Sequence, residues 1–519
     1  MDTLVYCALL LLGAFWILRD YVSRNILKPP FDNIPGPPAK SFWKGNLSQF
    51  FGRDCDDFQR DVALTYGPVV RMRGLFGRAI LYVSDPVALN TVVIKEDHIF
   101  EKPERAIASA WVVPTAGEAH RKQRKMLNPV FSVAHMRTML PIFYAIAHKL
   151  RTVIAARVDG GAHEVDVLNW MGRAALELIG QGGLGYSFDP LVGDADTTDG
   201  YGAALKALLL TRLHIVLRRV FPYAISLPYA PVQDVRAIID TMNAKARGIY
   251  EAKRAAMEGA DAGGQEVRRE VRANTAASAQ DRLSEEEVIA QMSIFLFAAT
   301  DTTSNTTARI LQLLAQHSDV QDRLRKEILD AGAGEGLSYD ELNHLPLLDA
   351  VCRETLRLYP PVTSLTRVTN KDTVLPLSRP IRGTDGTIMS EIPVMKGTEI
   401  MMGIFGANAN QEMWGEDALE WRPERWLAPL PQKVTGAPTP GVYSHLMSFS
   451  GGKKACIGFK FAETEMKVVL SVLLSTFHFE LTWKPITWNA AGVQYPTVGK
   501  DDNTPQLPLK VKPLSVGKA

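Results

Sequence analysis

The pattern of apolar and polar positions changes character several times along the chain. From Leu4 to Leu18 every position is apolar, Tyr or Gly, and Arg19, Arg24 and Lys28 follow. That run is short against the roughly 20 residues a spanning helix needs, so a cleaved signal peptide and a retained anchor are both open. No basic stretch precedes it and no small-x-small site follows it, while the cations on its C-terminal side favour a cytosolic body. The reading is a single-pass anchor over residues 1–20. Residues 21–50 then carry Lys28-Pro29-Pro30 and Ile34-Pro35-Gly36-Pro37-Pro38. Those prolines fix φ and bar a helix, leaving either a stiff arm or an ordinary linker.

Past the arm, Val69 to Met72 and Ala79 to Val83 read as short strands with Gly74 and Gly77 between them, and Ser84-Asp85-Pro86 opens a helix. The rest is mainly helical in period. Residues 205–229 are strongly apolar and broken by Pro222 and Pro228, which suits core packing or a mouth dipping into lipid. Residues 257–281 turn polar and read as a mobile surface loop. Ser284 to Glu287 is a capping box starting the longest helix, predicted from Glu285 to Ile328 with a break near Ser318; Ser338 to Glu341 is a second box. A final apolar helix is predicted from about Phe461 to Leu481.

Composition narrows the function classes. A chain of 519 residues without visible repeats predicts two or more domains or one unusually large one. Its 58 basic and 56 acidic side chains leave a net charge of +2, which argues against a nucleic-acid binder. Four cysteines, Cys7, Cys55, Cys352 and Cys456, lie far apart, so neither a zinc site nor a disulfide framework is suggested, and a reducing compartment fits. The triplets Asn46-Leu47-Ser48 and Asn305-Thr306-Thr307 match the glycosylation pattern but are read as chance in a cytosolic body.

Candidate chemistry gathers at six places. Cys456 sits in Phe449-Ser450-Gly451-Gly452-Lys453-Lys454-Ala455-Cys456-Ile457-Gly458, ahead of the last helix. Free N–H groups there favour a thiolate, hence a metal ligand; the alternative is a small buried hydrophobe. His120 and Arg124 stand four apart in a basic helical stretch, either a solvated face or an anion clamp for cofactor carboxylates. The run Ala298-Ala299-Thr300-Asp301-Thr302-Thr303 puts poor helix formers in mid-helix, with Ala298 and Thr302 facing one space and Asp301 beside them as a proton source. Taken alone it also suits a kinked core helix. Glu354 and Arg357 are three apart on an apolar helix ending at Pro360, which favours a buried, fully bonded pair. Arg367, in an extended stretch, is a further candidate anion ligand, and Arg425 in Trp421-Arg422-Pro423-Glu424-Arg425-Trp426 has an aromatic setting.

In order and spacing, the cysteine stretch, the Glu354-x-x-Arg357 pair, the Pro423-Glu424-Arg425-Trp426 run and the Ala298 to Thr303 helix resemble the cytochrome P-450 family of haem-thiolate monooxygenases, particularly its membrane-bound fungal (basidiomycete) members. The resemblance implies a mainly α fold with small β-sheets (α+β), one large catalytic domain over 51–519, a long central helix over the haem and a proximal cysteine loop. It makes Cys456 the axial ligand of a heme b (iron protoporphyrin IX) and packs Phe449 against the ring. Gly452 and Gly458 let the loop turn and approach, and Ala298 lies beside the cofactor. It assigns His120, Arg124, Arg367 and Lys454 to the haem propionates, and Glu354, Arg357 and Arg425 to a structural triad. Thr302 is expected to donate toward dioxygen and Asp301 to relay protons.

The sequence departs from the family pattern at Lys454, where Arg is usual, at His120, where Trp is common, and at Ala299, where Gly is typical. The implied partners are O2, an NADPH-cytochrome reductase and the endoplasmic reticulum membrane. Lys122, Lys125, Lys453 and Lys454 offer an acidic partner a basic face or are simply solvated. Candidate pocket walls, Ser109 to Val113, Phe297 with Ala298, Val362 to Leu365 and Val493 to Thr497, are mostly apolar and imply a lipophilic substrate. The first choice is a terpenoid or sterol-like molecule such as a triterpene of fungal secondary metabolism, and the second an aromatic xenobiotic. Two further classes stay in view: a haem-thiolate isomerase or dehydratase, and a non-catalytic haem- or sterol-binding membrane protein.

Overall fold

The Ser284 hydroxyl accepts the Glu287 N–H while the Glu287 carboxylate accepts the Ser284 N–H, and this reciprocal cap starts the helix Glu285–Gln316. In the computed structural model, which describes residues 13, 15, 31–103, 117–161, 163–192, 230–258 and 282–514, the long helix stops where His317 leaves helical geometry (φ −118°, ψ 74°) and Ser318–Asp330 begins anew. The expected break is therefore present one residue earlier. The second box, Ser338 with Glu341, caps the short helix Tyr339–Asn343. The N-terminal anchor, the wall Ser109 to Val113 and the segment 205–229 lie outside the described residues, apart from Gly13 and Phe15.

The chain packs as two units, each built from separated stretches: residues 1–102, 363–418 and 432–454 form the first, and 103–362, 419–431 and 455–519 the second. The first is organised on a five-stranded sheet, in the order Val69–Arg73, Ala79–Val83, Glu399–Gly403, Ser364–Thr369, Phe100–Glu101. Ala79–Val83 and Glu399–Gly403 run parallel and the other neighbours antiparallel. The Val69–Val83 hairpin is as expected, and Asp85 caps the following helix by accepting the N–H groups of Val87 and Ala88. Asn46 is fully buried, its amide giving to the Pro38 carbonyl and taking the Arg73 N–H, so it serves the arm rather than a sugar.

The second unit is helical. Val133–Asp159 packs on Val167–Leu178 and on Phe459–Leu474, and Glu285–Gln316 packs on Val167–Leu178, Ala230–Glu258, Pro346–Leu358 and Phe459–Leu474. Among the described residues Val133–Asp159 is the one helix long and apolar enough to cross a membrane. The last helix starts at Phe459 and ends at Leu474, not near Leu481. Beyond it Phe477, Phe479 and Leu481 alternate with His478 and Glu480, a two-residue period that makes them a strand paired with Pro508–Pro513. Only Ser475 and Thr476 separate Leu474 from Phe477, so the change of period falls within a short gap in the apolar run.

Candidate active site

Cys456 stands three residues before the helix Phe459–Leu474, whose N-cap is Gly458. The cysteine keeps accessible surface, yet protein surrounds it closely enough that desolvation pushes its thiol above the ordinary value. The Gly458 N–H and the Arg124 guanidinium oppose that shift without cancelling it. Burial is the larger cause, and the N–H at the helix start and the nearby guanidinium act against it. Arg124 lies on the helix Gly117–Leu127 with His120 one turn before it, and its Nη1 donates to the Ala455 carbonyl at 3.0 Å. The arginine is thus tied to the residue preceding the cysteine.

Within the first unit, Phe449 lies on the strand Leu446–Gly451 with the Tyr443 ring edge-on at 5.3 Å. Gly452 has φ +61°, and a Cβ there would come within 2.5 Å of the Val93 carbonyl oxygen, so this turn admits only glycine. Gly458 has an ordinary φ of −91°, and the nearest protein atom to a Cβ there belongs to the Phe131 ring at 3.7 Å.

Cations converge in the same unit. Arg367 is 5% exposed, its Nη1 donates to the neighbouring Thr366 carbonyl at 2.8 Å, and burial pushes its pKa down to about 10. Lys454 Nζ donates to the carbonyls of Asp97 and Phe100 at 3.1 and 3.2 Å. Lys102 is a cation that sequence reasoning missed. Phe100 pairs with Thr369 and Glu101 with Val368, so the next step of that register brings Lys102 level with Arg367. Burial lowers the Lys102 pKa, and the charges of Arg367 and Lys454 lower it further. Like charges across a strand pair destabilise, and among the described residues no carboxylate pairs with Arg367 or Lys102. These donors fit a dianionic ligand.

On the helix Glu285–Gln316, Thr302 Oγ1 donates to the Ala298 carbonyl at 2.8 Å, so the hydroxyl proton points back along the helix and its lone pairs are left to accept. The Asp301 carbonyl accepts both Asn305 Nδ2 at 2.8 Å and Ser304 Oγ at 3.2 Å. Among the described residues the buried Thr300 Oγ1 and Asn305 Oδ1 have no hydrogen-bond partner, a polarity unusual in a core helix.

Arg357 and Arg425 both reach the Glu354 carboxylate. Arg357 meets Glu354 by two bonds of 2.9 and 2.8 Å, and Arg425 Nε lies 3.4 Å from Glu354 Oε1. Two further donors complete the acceptor set, the Arg422 N–H at 3.0 Å and the Trp426 indole at 2.9 Å. Trp426, directly ahead of Leu427-Ala428-Pro429, belongs to the aromatic run read from the sequence, but its bond to Glu354 was not anticipated.

Comparison with known proteins shows the family of the chain. The Cytochrome P-450 family model matches residues 35–489. The chain belongs to the cytochrome P-450 family. It is 55% identical to Cytochrome P-450 monooxygenase 219 of Postia placenta over 97% of each chain, and 55% identical to monooxygenase 81 of the same fungus over 96% of this chain and 95% of that one. It is also 42% identical to a ganoderic acid synthetase of Ganoderma lucidum over 97% of this chain and 98% of the relative. As a cytochrome P-450 monooxygenase of fungal type, the protein uses haem, O2 and a redox partner.

Proposed function

We propose that this cytochrome P-450 inserts one oxygen atom from O2 into a terpenoid or sterol-like substrate, such as a triterpene, using electrons from NADPH passed on by a reductase. The observation that carries the substrate class is the near full-length similarity to a protein named ganoderic acid synthetase. The apolar, charge-poor character of Phe297, Ala298 and Val362 agrees with it. The proposed setting is the cytosolic face of the endoplasmic reticulum membrane, held by residues 1–20.

Cys456 would hold heme b through its sulfur, and the haem would supply the activation of O2. Phe449 covers the ring, Gly452 turns the loop and Ala298 leaves space beside the cofactor. His120, Arg124, Arg367 and Lys454 neutralise the propionates, joined by Lys102. The facing of Arg367 and Lys102, which have no paired carboxylate among the described residues, is the feature of this chain that best suits a dianionic cofactor. Asp301 moves protons inward from solvent. Thr302, whose own proton is committed to the Ala298 carbonyl, would use its lone pairs to accept a hydrogen bond from a water and so hold that proton donor in place.

The test is expression with a reductase in a triterpene-producing host, followed by metabolite profiling and a carbon monoxide difference spectrum. New oxygenated triterpenes with a thiolate-type spectrum support the reading. A thiolate-type spectrum that survives Cys456→Ala sinks the ligand assignment, and aromatic products alone move the substrate class to xenobiotics.

A further inference from the structure

Arg309 is held between two aromatic rings. Its guanidinium carbon lies 3.9 Å from the Tyr359 ring centre and 4.4 Å from the Trp488 ring centre. The three residues come from different parts of the second unit. Arg309 is on the helix Glu285–Gln316, Tyr359 ends the helix Pro346–Leu358, and Trp488 is on the hairpin Ile486–Ala490 with Gln494–Val498. A flat cation can stack on a ring with each face, which neither Lys nor an aliphatic side chain can do.

Two hydrogen bonds fix the same three parts. The Trp488 indole donates to Gln312 Oε1 at 2.9 Å, one turn beyond Arg309, and the Gln494 N–H donates to the Pro361 carbonyl at 2.8 Å. The hairpin is therefore sewn both to the central helix and to the turn after Tyr359. Along the helix, Arg309 follows Thr302 by seven residues, which returns to the same stripe two turns later.

We propose that Arg309 is a positioning residue that sets how far the Tyr359–Val362 turn and the Trp488 hairpin stand from Thr302, and so determines which ligand shapes the distal side accepts. This rests on the haem reading above. Arg309 itself touches no reacting atom. Its guanidinium acts as a spacer, and removing it lets both rings collapse toward the helix stripe that carries Thr302.

The experiment titrates the haem-loaded enzyme with two iron-coordinating probes, imidazole and 1-dodecylimidazole, by difference spectroscopy. In Arg309→Leu the affinity for 1-dodecylimidazole is expected to change by about five-fold or more, the scale of coupling between contacting residues, while imidazole stays within about two-fold. Arg309→Lys keeps the charge and loses the plane, so it shifts the same way and serves if the Leu variant does not load haem. Trp488→Leu gives the same change in wild type and adds little in the Arg309→Leu background. Equal shifts for both probes, or none for either, overturn the proposal. A wild-type enzyme that gives no azole spectrum at all overturns the haem reading, and this inference with it.

Discussion

Glu354 and Arg357 form a two-point ion pair in which neither side chain has any exposed surface. Every oxygen of that carboxylate is used, by Arg357, Arg425, the Arg422 N–H and the Trp426 indole. Such a pair adds little over a well-packed apolar substitute, but losing one half leaves a charge buried alone. Glu354→Gln is expected to destabilise the fold by about 3–5 kcal/mol, close to the effect of Arg357→Leu. Denaturant unfolding followed by loss of the haem absorption measures it, and a change below about 1 kcal/mol would show that solvent reaches the pair.

Glu465 gives a pH prediction of the opposite character. It is 3% exposed, its Oε2 has no partner among the described residues, and burial raises its pKa well above 4.5. Because the folded value is the higher one, the folded state holds the proton after the unfolded chain has released it. Stability is fully present below pH 4.5 and falls as pH rises from there toward the folded value. Glu465→Gln removes that slope, so its thermal midpoint should rise relative to wild type as pH increases. A gap that is flat with pH would mean the carboxyl is already ionised in the folded state.

For Thr302→Ala, product per NADPH is expected to fall by roughly ten-fold with a matching rise in peroxide, while the carbon monoxide spectrum is unchanged. Thr302→Ser, which keeps the hydroxyl bond to Ala298, should recover most of the coupling. Peroxide release measured beside NADPH consumption checks both, and unaltered coupling in the Ala variant would make Thr302 a helix-packing residue.

The cation cluster predicts a defect in cofactor retention. Lys102→Met should release haem to an acceptor globin about ten-fold faster than wild type, since one of the charges facing a dianion is gone, and Arg367→Leu should be worse because its guanidinium is the most buried. A release rate equal to wild type in Lys102→Met would separate that lysine from the cofactor.

Local chemistry was readable and long-range register was not. The caps at Ser284 and Ser338 and the Glu354–Arg357 pair depend on residues three apart, so spacing reveals them directly. Lys102 meets Arg367 only through a strand pairing between distant segments, and Trp426 reaches Glu354 across a loop, so neither contact has a signature in its own neighbourhood. The Cys456 environment divides the same way. Its place before a helix could be read, but the desolvation that outweighs the helix end is a sum over the folded surroundings. The apolar helix was overextended because Phe477 to Leu481 are as apolar in bulk as the helix before them, and differ in period alone.

The parallel pairing of Ala79–Val83 with Glu399–Gly403 has a consequence for how the protein is made. About 300 residues separate the two strands, so at roughly 5–20 residues per second the first hairpin leaves the ribosome some 15–60 s before its neighbour exists. Through that interval Leu81 and Val83 belong to an open sheet edge with nothing to pair with, a template for association with other chains. Newly made chains should therefore depend on holding chaperones until Gly403 emerges, and slowing translation beyond Val83 should lower the yield of soluble protein more than slowing it beyond Gly403.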